Sequence, residues 1–231
     1  MIKAIVRKII PERYIKQFMN FKILASNYGQ YESIKQSACI DNEGNKIPWY
    51  TYPAIEYLNN INFKDKRILE FGSGNSSEYW AVRSLDVISV EHDKEWYQKV
   101  KEDITSNQRL LLKKDDETYE RLDGLGSNVK FDVIIIDAIR RFECAKIVEN
   151  YLNKEAEDGY MVILDNSDWY KNSAEYLRRE LDLIEIDFHG FGPINNYTWT
   201  TSVFFSRNFK FKPINNLQPV FSNAAIIQSA D

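Results

Sequence analysis

The chain predicts an α/β fold: a seven-stranded, mostly parallel sheet that ends in a C-terminal antiparallel hairpin and carries an N-terminal helical extension. Three observations point to it. Strand-like and helix-like segments alternate from residue 67 onwards, the pattern of parallel strands joined by crossover helices. Val133-Ile134-Ile135-Ile136 is an unbroken apolar run, as expected of a strand buried on both faces. Gly190-Phe191-Gly192-Pro193-Ile194-Asn195-Asn196 is too short to hold a crossover helix, so the strands it joins should run antiparallel.

The elements follow in order. The extension covers 1–47 and closes with the polar turn Asp41-Asn42-Glu43-Gly44-Asn45-Lys46. Ile47-Pro48-Trp49-Tyr50-Thr51-Tyr52-Pro53 then leads into a helix over 54–59. The main domain is expected over 48–207, with strands near 67–71, 87–91, 109–112, 131–136, 160–164, 183–188 and 201–206. Helices fill 76–84, 94–105, 142–152 and 172–181, and the tail over 208–231, with Pro213 and Pro219, reads as irregular.

Composition narrows the function classes. A hydrophobic fraction of 44% and an aromatic fraction of 14% suit a folded chain with a substantial core. Thirty basic side chains against 34 acidic ones give net charge −4, so no nucleic-acid partner is expected. Cys39 and Cys144 stand far apart, outside any metal-binding spacing, and read as reduced thiols of a cytoplasmic protein. No apolar run reaches the roughly 18 residues that a membrane span needs. The N-terminus is less neutral. Lys3, Arg7, Lys8, Arg13, Lys16 and Lys22 face a single acid, Glu12, within residues 1–24. Ile2, Ile5, Val6, Ile9 and Ile10 could share one helical face there. Such a helix suits either peripheral contact with the inner face of a membrane, or packing on its own domain or a second copy of the chain.

The most informative stretch is Arg67-Ile68-Leu69-Glu70-Phe71-Gly72-Ser73-Gly74-Asn75-Ser76-Ser77. A short strand ends in an acid, a glycine-paired turn follows, and Asn75 and Ser76 can open a helix whose free N–H groups meet a ligand. In a doubly wound sheet, ligands lie beyond the carboxyl ends of the strands. The second strand ends in Glu91-His92, about twenty residues after the turn, where an acid can accept from both ribose hydroxyls. His92 could flank the nucleoside, and Asp115 or Asp116, after the third strand, could meet an adenine amino group. A dinucleotide is the weaker ligand. Ser77 stands where the third fingerprint glycine belongs, and Glu70 would face a pyrophosphate with the wrong charge.

The glycine turn preceded by Glu70 resembles the first motif of the class I S-adenosylmethionine-dependent methyltransferases. That family's architecture is a Rossmann-like seven-stranded sheet ending in an antiparallel hairpin. The resemblance implies S-adenosyl-L-methionine held by Glu70, Gly72, Gly74, Asn75, Ser76, Glu91 and His92, with Asp115 or Asp116 at the adenine. Asp137, ending the fourth strand, and Asp165-Asn166, ending the fifth, look like the metal site of catechol-type O-methyltransferases. Two carboxylates and an amide suit Mg²⁺ or a similar divalent cation. Val-Glu-His-Asp-Lys-Glu-Trp (90–96), Ile-Asp-Ala-Ile-Arg-Arg (136–141) and His-Gly-Phe-Gly-Pro (189–193) also resemble bacterial methyltransferase-like proteins found with surface-polysaccharide genes.

The implied reaction is methyl transfer to a hydroxyl of a small or saccharide acceptor. Arg140 stands where the catechol-type enzymes carry a lysine. An arginine stays charged, so proton removal is expected to fall to His189 or to a metal, with Arg140 clamping an acidic acceptor. Trp49, Tyr50, Tyr52 and Trp199 are candidate walls of an acceptor pocket, with core packing as the alternative. An NAD-dependent oxidoreductase and a non-catalytic scaffold at a membrane surface are the other function classes left open.

Overall fold

The computed structural model describes residues 10–114, 122, 125, 128–215 and 218–228. Helix α1 (Glu12–Lys22) continues through a π-helical turn (Ile23–Asn27) into α2 (Gln30–Gln36), and α3 spans Tyr52–Asn59. Strand β1 (Arg67–Phe71) is followed by α4 (Asn75–Ala81), β2 (Asp86–Glu91), α5 (Lys94–Glu102) and β3 (Gln108–Leu112). Then come β4 (Val133–Ile136), α6 (Arg141–Ile147), β5 (Met161–Asp165), α7 (Lys171–Arg179), β6 (Ile184–Gly190) and β7 (Trp199–Phe205). The sheet order is β3-β2-β1-β4-β5-β7-β6. Strands β1 to β5 pair in parallel, and β7 slots antiparallel between β5 and β6. The expected hairpin and reversed last strand are therefore present.

Period-two alternation assigns the two faces. Ile68, Ile135, Ile163 and Val203 pack with Tyr50, Leu58, Phe63 and Trp80 on one face. Leu69, Ile134, Leu164 and Phe204 pack with Cys144 and Leu177 on the other. Glu70 and Asp165 continue the alternation of the first face, so polar strand ends there stand beside Tyr50. Cys39, Ile47 and Phe211 also belong to the first core, with Phe209 packed against it, so the apolar core runs past both expected domain boundaries, 47 and 207.

Helix α1 buries none of its residues and leaves Tyr14, Phe18, Met19 and Phe21 exposed. Of the expected apolar face, Ile2, Ile5, Val6 and Ile9 lie outside the described residues, and Ile10 is exposed. No helix among those described is long and apolar enough to cross a membrane. Cys39 and Cys144 are buried and unpaired.

Candidate active site

The first half of the site is the turn between β1 and α4. Gly72 has φ of 109°, and a Cβ there would lie 2.5 Å from the Asp137 carbonyl oxygen. Only glycine lets this turn pass so close to the end of β4. Ser73, in the same turn, donates its hydroxyl to Glu91 Oε2 at 2.6 Å. Glu91 Oε1 accepts the backbone N–H groups of His92 and Asp93 at 2.8 and 2.9 Å, and His92 Nδ1 stands 3.1 Å from it. The Trp96 indole N–H donates to the Ser73 carbonyl at 2.9 Å, tying α5 to the turn. A cavity of about 270 Å³ borders Gly74 between α4 and α5, where Asn75, Glu78, Trp96 and Lys99 line it.

Glu70 does not present a free carboxylate. It is buried and accepts hydroxyls from Ser76 and Ser77, each at 2.5 Å, and from Ser89 of β2 at 2.7 Å. Desolvation pushes its pKa up to about 7, against the pull of those three serines, and Asp137 adds to the rise. Its role here is to hold the start of α4 against β2. Asn75 likewise spends its amide on the Cys39 carbonyl, at 2.9 Å.

The second half lies at the ends of β4 and β5. Leu164 pairs with Ile136, so Asp165 and Asp137 leave adjacent strands together. Asn166, at φ 52°, takes the left-handed conformation that asparagine tolerates, and the chain turns sharply into 167–170. Asp165 Oδ1 accepts from Thr201 Oγ1 at 2.6 Å and from Trp199 Nε1 at 3.0 Å. Arg141, the first residue of α6, reaches back into this set. One guanidinium nitrogen donates to the Asp165 carbonyl at 3.0 Å and to Asn166 Oδ1 at 2.8 Å, and the other pairs with Asp137 Oδ1. The Tyr170 ring lies 4.4 Å from the guanidinium carbon. Burial raises the pKa of both aspartates, Asp137 raises that of Asp165 further, and Arg141 opposes both shifts. The Tyr50 hydroxyl is also buried here, without a well-directed hydrogen bond among the described residues, and the carboxylates of Asp137, Glu70 and Asp165 help burial hold it protonated.

Several expectations change. Asp137, Asp165 and Asn166 do come together, but this set does not fit a divalent cation. Arg141 holds an oxygen of Asp137 and of Asn166, and Asp165 turns Oδ1 to Trp199 and Thr201. Among the described residues, no three His, Cys, Asp or Glu side chains form a metal-binding group. His189 is not on this rim. Phe188 packs on Tyr57, so the next residue points to the opposite sheet face, where His189 Nδ1 meets Thr200 Oγ1 at 2.8 Å. Tyr50, Tyr52 and Trp199 are core residues, and of the four aromatics only Trp49 is exposed. A Cβ on Gly192 would lie 2.5 Å from the Tyr50 carbonyl and closer still to the Trp199 ring, so Gly192 lets these two pack. Arg140 is partly buried just before α6, and its carbonyl accepts the Cys144 N–H at 2.9 Å. Asp115 and Asp116 lie outside the described residues.

Sequence reading missed Ser73 and Ser89, gave Ser77 no part in holding Glu70, and missed Arg141, which organises the second half. It also missed Trp169 and Tyr197. Their rings stack with centroids 6.3 Å apart, and Tyr197 leans on Trp199 at 6.0 Å.

No protein-family model and no curated protein matches the chain. Solved structures give fold-level matches. The O-methyltransferase TomG of Streptomyces achromogenes, solved with S-adenosylmethionine, is 13% identical with a TM-score of 0.49, covering 80% of this chain and 89% of TomG. An rRNA methylase of Streptococcus thermophilus is 13% identical with a TM-score of 0.49, over 66% of this chain and 95% of the methylase. Precorrin-6y C5,15-methyltransferase of Geobacter metallireducens is 12% identical with a TM-score of 0.49, over 66% and 86% of the two chains. Likeness at this level assigns no residue a role.

Proposed function

We propose that the chain transfers a methyl group from S-adenosyl-L-methionine to a hydroxyl of a small or saccharide acceptor. The observation that carries this reading is an unbalanced charge. Glu70 and Glu91 flank the glycine turn, and among the described residues no Lys or Arg forms an ion pair with either. Hydroxyls and backbone N–H groups satisfy them instead. A pyrophosphate would meet repulsion at Glu91, whereas a sulfonium nucleoside carries the positive charge that this strand end lacks.

The residues present fit such a cofactor. Among the described residues Glu91 Oε2 holds only the Ser73 hydroxyl, which leaves a lone pair for a ribose hydroxyl. When bound, the cofactor supplies an electrophilic methyl for in-line displacement. The chain supplies position: Ser73 and Glu91 orient the nucleoside, and Gly72 brings the turn to the Asp137 carbonyl. Asp137 Oδ1 is fixed by Arg141, while its other oxygen accepts no hydrogen bond among the described residues and a quarter of the side chain is exposed. That oxygen is our candidate for receiving the acceptor's proton. Metal assistance forms no part of this proposal. Trp169 and Tyr197, exposed and linked through Trp199 to Asp165, offer ring faces to a sugar. Arg140 stays the candidate clamp for an acidic acceptor. The exposed α1, with Arg13 and Lys16 beside Tyr14 and Phe18, is the candidate contact for a membrane or a second copy.

Calorimetric titration of the full chain with S-adenosylhomocysteine and, separately, NAD tests the reading. Micromolar binding of S-adenosylhomocysteine that weakens at least tenfold in Glu91→Ala is expected. Binding of NAD alone would move the assignment to an oxidoreductase.

A further inference from the structure

Asp137, Asp165 and Asn166 gather oxygens at two adjacent strand ends, a donor set of the kind hard cations take. The centre of that set holds an arginine. We infer that the Arg141 guanidinium is the resident cation of this site, standing where a divalent ion would otherwise sit and closing the site to metals.

Three features argue for it. The first is geometry. The guanidinium is shared among the Asp137 carboxylate, the Asp165 carbonyl and the Asn166 amide oxygen, which come from the ends of two strands and the turn after the second. A surface ion pair engages one partner; this cation is bound as a ligand-coordinated ion would be, by three oxygens. The Tyr170 ring closes a further side, and only 10% of the Arg141 side chain is exposed. The second feature is position. Arg141 opens α6, and the positive end of a helix disfavours a cation in its first turn. Helix stability therefore does not account for the arginine; the oxygens ahead of it do. Among the described residues its buried Nε has no hydrogen-bond partner, so the two nitrogens that face the oxygens set the pose. The third is orientation of the remaining donor. Asp165 gives Arg141 its backbone carbonyl, while Oδ1 of its carboxylate is held by Trp199 and Thr201. An ion arriving from solution would have to displace a cation that cannot lose its proton.

The test is manganese binding, which needs neither cofactor nor acceptor and so stands or falls apart from the methyl-transfer reading. Full-length protein, freed of metal by dialysis against a chelator, is titrated with Mn²⁺ while the electron paramagnetic resonance signal of the free ion is recorded. Wild type should leave that signal at full amplitude. Arg141→Ala should remove about one equivalent of it, and Asp137→Asn added to that variant should restore the signal. Uptake of one equivalent by wild type, lost in Asp137→Asn, would overturn the inference. So would a folded Arg141→Ala that takes up none. If circular dichroism shows Arg141→Ala to be unfolded, Arg141→Lys replaces it. Lysine keeps the charge, so no uptake is expected, and uptake would count against a resident cation.

Discussion

Both halves of the sheet end in carboxylates, and they settle that charge in different ways. At β1 and β2, Glu70 and Glu91 are met by serine hydroxyls and backbone N–H groups, with no lysine or arginine paired to them among the described residues. At β4 and β5, a built-in guanidinium pairs with the Asp137 carboxylate and donates to the Asp165 backbone carbonyl, while the Asp165 carboxylate is met by Thr201 and Trp199. The first half therefore keeps a deficit of positive charge at Glu91 that a cationic ligand can fill, and the second has already filled that of Asp137. A single site thus separates ligand attraction from the fixing of the carboxylate beside it. It does so with carboxylates on one sheet face, close enough for Asp137 to raise the pKa of both Glu70 and Asp165.

The comparison breaks most visibly at Arg141. Removing one partner of a buried ion pair leaves the other uncompensated, which typically costs about 3–5 kcal/mol. Arg141→Ala should lower unfolding stability by about that much in urea titrations, while Arg141→Lys loses less because a charge remains. Asp137→Asn should cost less than Arg141→Ala, because Asp165 and Asn166 still hold the guanidinium. Equal losses in the two would mean that Asp137 alone anchors Arg141, and the shared-oxygen picture would fail.

Glu70 sharpens the other half through pH. Its folded pKa, about 7, lies above the ordinary carboxylate value of 4.5, so folding favours the protonated form. The stability linked to this group is complete below about pH 4.5 and declines as pH rises through 7. A shift of this size corresponds to something on the order of 3 kcal/mol. Glu70→Gln, neutral at every pH, should make the stability profile between pH 5 and 8 shallower than in wild type, leaving the slope due to Asp165, whose pKa burial pushes up to about 8. An unchanged slope would place the titration elsewhere.

How much of this was legible in the sequence depends on distance along the chain. The glycine turn, the apolar strands and the reversed β7 are local patterns, and each stood where the pattern placed it. The partners of Glu70 come from two elements, α4 and β2, and no local pattern announces that Ser77 and Ser89 will meet. Arg140 and Arg141 are neighbours whose order could not be settled by type. The start of α6 decides it, because the first helical residue, not the one before, turns back toward Asp137. His189 was within reach of sequence reasoning. In a strand, Phe188 and His189 must face opposite ways, and an aromatic at 188 takes the apolar face that holds the site.

The smallest expected effect concerns the aromatic pair on the acceptor side. Trp169 is 60% exposed and its backbone N–H is held by the Asn166 carbonyl at 2.8 Å, so the turn keeps its shape without the indole. Trp169→Ala should therefore leave unfolding stability within about 0.5 kcal/mol of wild type. A ring face against a sugar or phenolic ring contributes about 1 kcal/mol, or roughly fivefold in acceptor KM. The kcat at saturation should hold, because Trp169 touches neither Asp137 nor Arg141 in the described contacts. Affinity for S-adenosylhomocysteine should also hold, since the glycine turn lies on the other half. A matched fall in kcat and cofactor affinity would instead tie the aromatic pair to the β1–β2 half, and the division between a ligand-attracting end and a self-neutralised end would no longer describe the site.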